Sequence, residues 1–211
     1  MDKEKLQKKY GINGTIAVLM QVQLVLVGMG LIISCYGVIN SFNAQKRMIV
    51  YILQAAACLA MLIFGLFHFH KKKMIYFKTV IYFYAALEAV RCALLSVNGV
   101  EEWAAIPAKL FLVALACTAV VLAEHLGEKN SNYYAYLLMF FEAALFLVYS
   151  LGFPGVSEGR MLFKILPLVG LMMACSICLF NVAKVKQREY FDKQRAEGKL
   201  PKEEEKTEAG K

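Results

Sequence analysis

The stretch MIYFKTVIYFYAALEAVRCALLSV, residues 74–97, decides the fold. It is apolar over most of its length, and a helix needs about 20 such residues to cross the hydrocarbon core of a bilayer. Glu88 and Arg91 lie near the middle of this run, far from either end. Because ionisable residues are costly at that depth, the stretch predicts a transmembrane helix and marks both residues as candidates for function.

The rest of the chain has the same character. Of its 211 residues, 59% are hydrophobic and 19% are charged, whereas soluble domains have about 45–50% and 25%. Apolar runs cover residues 16–39, 48–69, 74–97, 106–126, 134–152 and 161–183. The runs are continuous rather than alternating, which indicates helices. We therefore predict an all-α fold, a polytopic integral membrane bundle of six transmembrane helices whose short connections make sequential neighbours antiparallel.

The distribution of basic residues predicts the orientation of this bundle. The net charge of +8 is concentrated in the N-terminal segment, in the loop after the second span and after the sixth span. The opposite loops hold Lys46, Arg47 and Arg160 together with acidic residues. Since cytoplasmic loops are rich in Lys and Arg, we predict an N-in/C-in topology, with the basic segments lying against anionic lipid headgroups. We expect the protein to lie in the plasma membrane, as an inner-membrane protein of a bacterium.

Three regions follow from this topology. Residues 1–15 form a basic cytoplasmic N-terminus, 16–183 the six-helix transmembrane domain, and 184–211 a charged cytoplasmic tail. The tail is expected to be helical at first and then disordered, because Gly198 and Pro201 stop a helix and the remaining residues are almost all polar.

A faint threefold pattern runs through the spans. The second, fourth and sixth spans each carry an Ala-Cys pair, at residues 57–58, 116–117 and 174–175. The third and fifth spans share a Glu-Ala pair, which begins at Glu88 and at Glu142. Two interpretations stay open: three helical-hairpin repeats related by an axis along the membrane normal, or a composition common to membrane helices.

The face of the third span suggests how its charged pair is placed. Glu88 and Arg91 are three residues apart, so they share a face and can bridge one another. Ala85, Ala89 and Ala93 follow one another at four-residue spacing. Small residues at this spacing let helices approach closely. We therefore expect the charged pair to face the interior of the bundle.

Glu142 adds a second acid at a similar depth in the fifth span, without a charged neighbour in its own helix. It is expected to stay protonated, to pair with Arg91 across the bundle, or to meet Lys109 or Lys164 reaching inward from the outer ends of their helices. The predicted binding residues are therefore Glu88, Arg91, Glu142, Lys109 and Lys164. An interhelical clamp that only fixes packing and a polar pocket that opens outward both remain open as interpretations.

Other classes of function find little support. The chain has no HExxH, no GxSxG and no glycine-rich phosphate loop, so we predict that it is not an enzyme. Cys175 and Cys178 form a CxxC, but a redox pair needs a helix N-terminus and a reachable sulfur, and this one lies deep in a span. We predict no cofactor and no metal. We also predict no nucleic-acid partner, because no basic stretch forms a fold of its own.

The leading functional prediction is a small multi-pass membrane protein that binds or transports a small solute through an intramembrane polar pocket. The alternative is a membrane scaffold or sensory partner that acts through its cytoplasmic tail on a membrane or cytoplasmic protein. A membrane thiol oxidoreductase that uses Cys175 and Cys178 is the third hypothesis.

Overall fold

The computed structural model describes residues 11–41, 45–67, 74–97, 101–152 and 161–198, with side chains for all of these except 45–47, 67, 94–97 and 161–166. The described residues form six α-helices: α1 (Gly14–Asn40), α2 (Gln45–Phe67), α3 (Ile75–Val97), α4 (Glu102–Glu124), α5 (Ser131–Leu151) and α6 (Met161–Ala196). No strand occurs within these ranges, so the predicted all-α fold is confirmed.

Five of the six helices are long and apolar enough to cross a membrane. The helix outside this set is α3, which carries Lys78, Glu88 and Arg91. Its 23 residues correspond to about 35 Å along the helix axis, so its length alone would suffice. The structure therefore supports a multi-pass membrane protein. Helix α3 falls short of the other five helices in apolar character because of its charged residues, not because of its length.

The packing of α1 shows an inverted distribution of polarity. Its buried positions include Gln23, Gly30, Ser34 and Gly37. Its exposed positions include large apolar side chains, and Ile32 is 70% exposed. In water this arrangement would be unfavourable, because apolar surface is driven inward. In a bilayer the lipid covers the apolar surface and small residues let helices pack closely, so α1 is built to face lipid.

The six helices form a closed ring in chain order, because each packs against the next and α6 packs against α1. In addition, α6 contacts α3 across the ring, where Phe77 of α3 stacks on Phe180 of α6 with ring centroids 3.7 Å apart. The apolar window of α6 has 67% of its residues buried, against 22–39% in the other four apolar helices. Thus α6 is the central element of the bundle.

One end of α6 extends well past the other helices. Its 36 residues correspond to about 54 Å, compared with a hydrocarbon core of about 30 Å. Near its C-terminal end, Tyr190 and Phe191 pack against Gly11, where a Cβ atom would lie 3.0 Å from the ring of Phe191. The beginning of the described chain and the end of α6 therefore lie together at the same end of the bundle.

Asn181 of α6 fixes the loop between α4 and α5. Its side-chain oxygen accepts hydrogen bonds from the backbone N–H of Gly127, at 2.9 Å, and from the hydroxyl of Ser131, at 3.0 Å. Its side-chain amide donates to the side-chain oxygen of Asn132 at 2.9 Å. Since Gly127 has a positive φ of 75°, the loop makes a sharp turn that this one amide holds against α6.

The alanine spacing on α3 needs revision, whereas the threefold pattern stays a prediction. Ala85 is buried as expected, but Ala89 and Ala93 are exposed. The buried face of α3 is centred on Glu88 and Arg91, and Ala89, one residue after Glu88, and Ala93, two after Arg91, turn toward the outside. The Ala-Cys pairs of the threefold pattern also differ in environment, because Cys58 is buried whereas Cys117 is exposed.

Part of the evidence for the predicted orientation lies outside the described part of the chain. The lysines of residues 1–10 and 71–73 and Arg160 belong to these undescribed ranges, as do residues 199–211, whereas the basic residues between Lys184 and Arg195 are described. The predicted disorder at the end of the tail falls in the same undescribed ranges.

Candidate functional site

The buried residues of α5 form a regular seam. They are Ser131, Ala135, Leu138, Glu142, Leu145 and Tyr149. These positions alternate in steps of four and three residues, which is the period that keeps one helix face toward its neighbours. Glu142 occupies a position in this seam that an apolar residue would normally hold. The sequence of α5 therefore directs a carboxylate into the interior of the bundle.

Glu88, Arg91 and Glu142 meet in that interior, and we refer to them as the triad. Nη2 of Arg91 forms an ion pair with Oε2 of Glu88 in the same helix. The same nitrogen donates a hydrogen bond to Oε1 of Glu142 at 2.9 Å. Neither carboxylate is exposed, and Arg91 is 1% exposed. Because α3 and α5 are not neighbours in the ring, the Arg91–Glu142 pair crosses its interior.

All three contributing helices reach the site at one depth. Glu88 and Glu142 each precede the last residue of their helix, Val97 and Leu151, by nine positions. Gly170 follows the first residue of α6 by the same interval. Nine residues correspond to about 14 Å along a helix axis, close to half the thickness of the hydrocarbon core. The triad therefore lies near the middle of α3 and α5 along their lengths.

Two tyrosines complete the polar surroundings. The hydroxyl of Tyr84 donates a hydrogen bond to Oε2 of Glu142 at 2.7 Å. The guanidinium carbon of Arg91 lies 5.8 Å from the ring centroid of Tyr149, a distance at which the ring faces attract cations. Both oxygens of Glu142 thus accept a hydrogen bond, and Arg91 is also stabilised from the side of α5.

Gly170 brings the backbone of α6 against the triad. A Cβ atom at this position would lie 2.5 Å from Oε1 of Glu142, 2.8 Å from Oε1 of Glu88 and 2.9 Å from Nη1 of Arg91. Real Cβ atoms essentially never approach other atoms this closely, so any side chain at this position would force the ends of the triad side chains to shift. Three polar atoms from two helices therefore converge on one point of α6.

Glu88 and Arg91 keep unused hydrogen-bonding capacity. Neither oxygen of Glu88 accepts a hydrogen bond from a described residue, although Oε2 takes part in the ion pair. Nε and Nη1 of Arg91 likewise donate no hydrogen bond within the described ranges. Buried polar groups are nearly always paired, so such a group calls for an explanation. Glu142 is fully engaged, and the open capacity lies on the α3 side of the triad.

The structure assembles part of the predicted site. Glu88, Arg91 and Glu142 are in contact, and the expected pairing of Arg91 with Glu142 across the bundle is present. Lys109 is exposed on α4, and no ion pair between Lys109 and Glu142 occurs in the described part of the chain. The side chain of Lys164 lies outside the described residues. Lys109 and Lys164 therefore remain predicted binding residues, and the described contacts of the triad include neither of them.

Sequence reasoning missed two contributors. Tyr84 precedes Glu88 by four residues, so the helical period that linked Glu88 with Arg91 could have placed it on the same face. Gly170 gave no comparable signal, because nothing in the sequence of α6 states which helix lies opposite it. Its role is visible only once α6 packs against α3.

Other chemistry has less support in this interior. The described residues contain no group of three His, Cys, Asp or Glu side chains that could hold a metal ion. Cys175 and Cys178 are thiols rather than a disulfide, and both lie well inside α6. The triad is therefore the polar feature of the interior on which a function is best argued.

Comparison with known protein families, with curated proteins and with solved structures finds no match to this chain. Because a helical bundle is compatible with many activities, its function has to be argued from the site.

Proposed function

We propose that this chain is a six-span membrane protein that binds or moves a small solute through the intramembrane site formed by Glu88, Arg91 and Glu142. The observation that carries the proposal is the burial of all three ionisable side chains at mid-depth in the bundle. A charged side chain at the centre of a bilayer costs about 2.5–3.5 kcal/mol on insertion scales, so such residues mark functional sites by default.

Counting α3 as the sixth span is part of this proposal. Its charged pair is directed inward, and exposed positions such as Tyr76, Phe83 and Val90 present apolar or aromatic surface. An even number of spans returns the chain to its starting side. This agrees with the contact between Gly11 and the end of α6, and with basic termini in the cytoplasm. The bacterial plasma membrane and the hairpin repeats belong to the same proposal.

The open hydrogen-bonding groups favour a binding site over a clamp. A clamp is most stable when each buried donor and acceptor is paired, because every unsatisfied group retains its desolvation cost. Glu142 meets that requirement, whereas Glu88 and two nitrogens of Arg91 do not. Groups left open in this way can receive a polar solute that enters the bundle.

The test is a binding screen on the purified full chain in lipid nanodiscs. Small polar solutes are screened for an increase in melting temperature, and the solutes that bind are repeated with Glu88→Gln and Glu142→Gln. Both variants should lose the shift, because Glu88→Gln removes the carboxylate with open capacity and Glu142→Gln removes the partner that positions Arg91. Glu189→Gln, at an exposed position of α6, is the matched control and should keep it. Folded glutamine variants that bind as well as wild type would refute the proposal.

The second candidate is a scaffold or sensory partner that acts through the cytoplasmic tail. It is favoured by the extension of α6 to Ala196, which exposes charged residues such as Lys186 and Lys193. A scaffold needs this surface and not the triad. It would therefore keep its protein partner in the same Glu88→Gln and Glu142→Gln variants that abolish solute binding.

A further inference from the structure

The triad contains one more acid than base. Glu88, Arg91 and Glu142 together carry a charge of minus one if all are ionised, because the guanidinium of arginine stays protonated in proteins. An uncompensated charge in a low-dielectric interior is strongly unfavourable. The excess negative charge must therefore be removed by a positive charge that binds at the site.

No other described side chain supplies that charge. The titratable groups facing the triad are Tyr84 and Cys92 on α3, Tyr149 on α5 and Cys175 on α6. All four are neutral acids, so none contributes a positive charge. On α2 and α4, the helices that flank α3, the described buried polar residues are uncharged.

The hydrogen bonds divide the two carboxyl groups into different roles. Glu142 accepts one hydrogen bond from Tyr84 and one from Arg91, so each of its oxygens already has a donor. Neither oxygen of Glu88 accepts a hydrogen bond from a described residue. Its Oε1 lies within 2.8 Å of the same point beside Gly170 that Oε1 of Glu142 approaches to 2.5 Å. Two carboxylates this close disfavour double ionisation.

We propose that the triad holds one exchangeable proton on Glu88, and that this proton is the ion whose binding and release accompany movement of the solute. When the proton binds, the Glu88 carboxylate becomes a carboxylic acid and the charge of the triad changes from minus one to zero. Release restores the carboxylate. Proton binding follows from the charges and contacts of the triad, whereas its coupling to a solute rests on the proposed function.

The construction of α6 supports exchange of this proton. Pro167 lies one helical turn before Gly170 and has no backbone N–H, so α6 lacks one of its stabilising hydrogen bonds there. Gly170 then places a residue without a side chain against the triad. The backbone of α6 therefore has one hydrogen bond fewer within a turn of Gly170, which lowers the cost of a small displacement of the helix beside Glu88.

The experiment is infrared spectroscopy of the full chain in lipid nanodiscs, with glutamate labelled by ¹³C in the side-chain carboxyl group. Wild type should show a C=O band from a protonated glutamic acid at neutral pH, which disappears at alkaline pH. Isotope labelling assigns the band to glutamate without any variant, so the result does not depend on how a substituted chain folds.

Variants then test whether the protonated glutamate belongs to the triad. Glu88→Gln should lose the band because it removes the acid that carries the proton. Glu142→Gln should lose it as well, because Glu88 and Arg91 then balance one another and Glu88 can ionise. Glu189→Gln should retain the band. Absence of the band from wild type at neutral pH, or its persistence in Glu88→Gln, would overturn the proposal.

Two comparisons separate this inference from neighbouring explanations. If Na⁺ abolishes the wild-type band at constant pH while choline does not, a metal cation rather than a proton balances the triad and the proposal is wrong. If solute binding depends on Glu88 but wild type lacks the band, the proposed function stands and the proton site does not. A pH-dependent band without any solute that binds supports the proton site and contradicts the proposed function.

Discussion

Replacing Gly170 by alanine is the sharpest test of the packing around the triad. The added methyl group would lie 2.5 Å from Oε1 of Glu142 and 2.8 Å from Oε1 of Glu88. Both oxygens belong to side chains held by Arg91, so neither can turn away without weakening an ion pair. The substitution must therefore displace α6 or separate the charged groups.

The size of the effect follows from two opposing terms. Overpacking a well-packed interior costs about 1–3 kcal/mol. Alanine in place of a helical glycine contributes about 0.5–1 kcal/mol in the stabilising direction. If the methyl group breaks a buried ion pair, the cost rises to about 3–5 kcal/mol. We expect a net loss in the free energy of unfolding of about 0–2.5 kcal/mol if the ion pairs hold, and of about 2–4.5 kcal/mol if one of them breaks.

The measurement is an equilibrium unfolding titration of the purified protein in detergent micelles. Gly28→Ala in α1 is the matched control, because a Cβ atom at Gly28 would have no other atom within 4 Å. The control should be unchanged or slightly more stable, while Gly170→Ala should be less stable. Equal stability of the two variants would show that α6 does not pack against the triad as described.

The remaining predictions concern single polar contacts. Tyr84→Phe removes a hydrogen bond to the buried carboxylate of Glu142, so it should lower the free energy of unfolding by about 1.5–3 kcal/mol. The control is Tyr136→Phe at an exposed position, which should have no effect in the same unfolding titration. Asn181→Ala leaves the backbone N–H of Gly127 without its acceptor, and we expect a loss of about 1–3 kcal/mol together with faster proteolysis of the loop between α4 and α5. Unchanged proteolysis there would contradict the role given to Asn181.

The helices could be predicted from the sequence because each is encoded locally. A continuous apolar run of about 20 residues has few alternatives to a helix when its backbone must satisfy its own hydrogen bonds. The inward direction of Glu88 and Arg91 could also be anticipated, since three-residue spacing places them on one face and the cost of exposing them to lipid is high. Their pairing with Glu142 required only that the two spans match in depth.

The relation between helices could not be predicted in the same way. Periodicity states which face of a helix is buried but not which helix lies opposite, so the central place of α6 and the contact of Gly170 with the triad were not accessible. The alanine spacing on α3 misled for a related reason, because Ala89 and Ala93 fit either a packed face or a lipid-facing one. Lys109 was assigned by depth alone, and its exposure on α4 shows that depth does not determine direction.

Both candidate functions depend on α6. Gly170 contacts the triad, and Asn181, eleven residues further along the same helix, holds the loop between α4 and α5. This interval is about 16 Å, and the helix then continues to Ala196 and its exposed charges. A displacement of α6 at the triad would therefore also reach the exposed end of the helix.

A protein that only held partners together would need that exposed end, yet it would gain nothing from a second carboxylate beside Arg91. The surplus acid adds cost to packing and gives the interior a place to bind positive charge, and it therefore favours solute binding over a purely structural role.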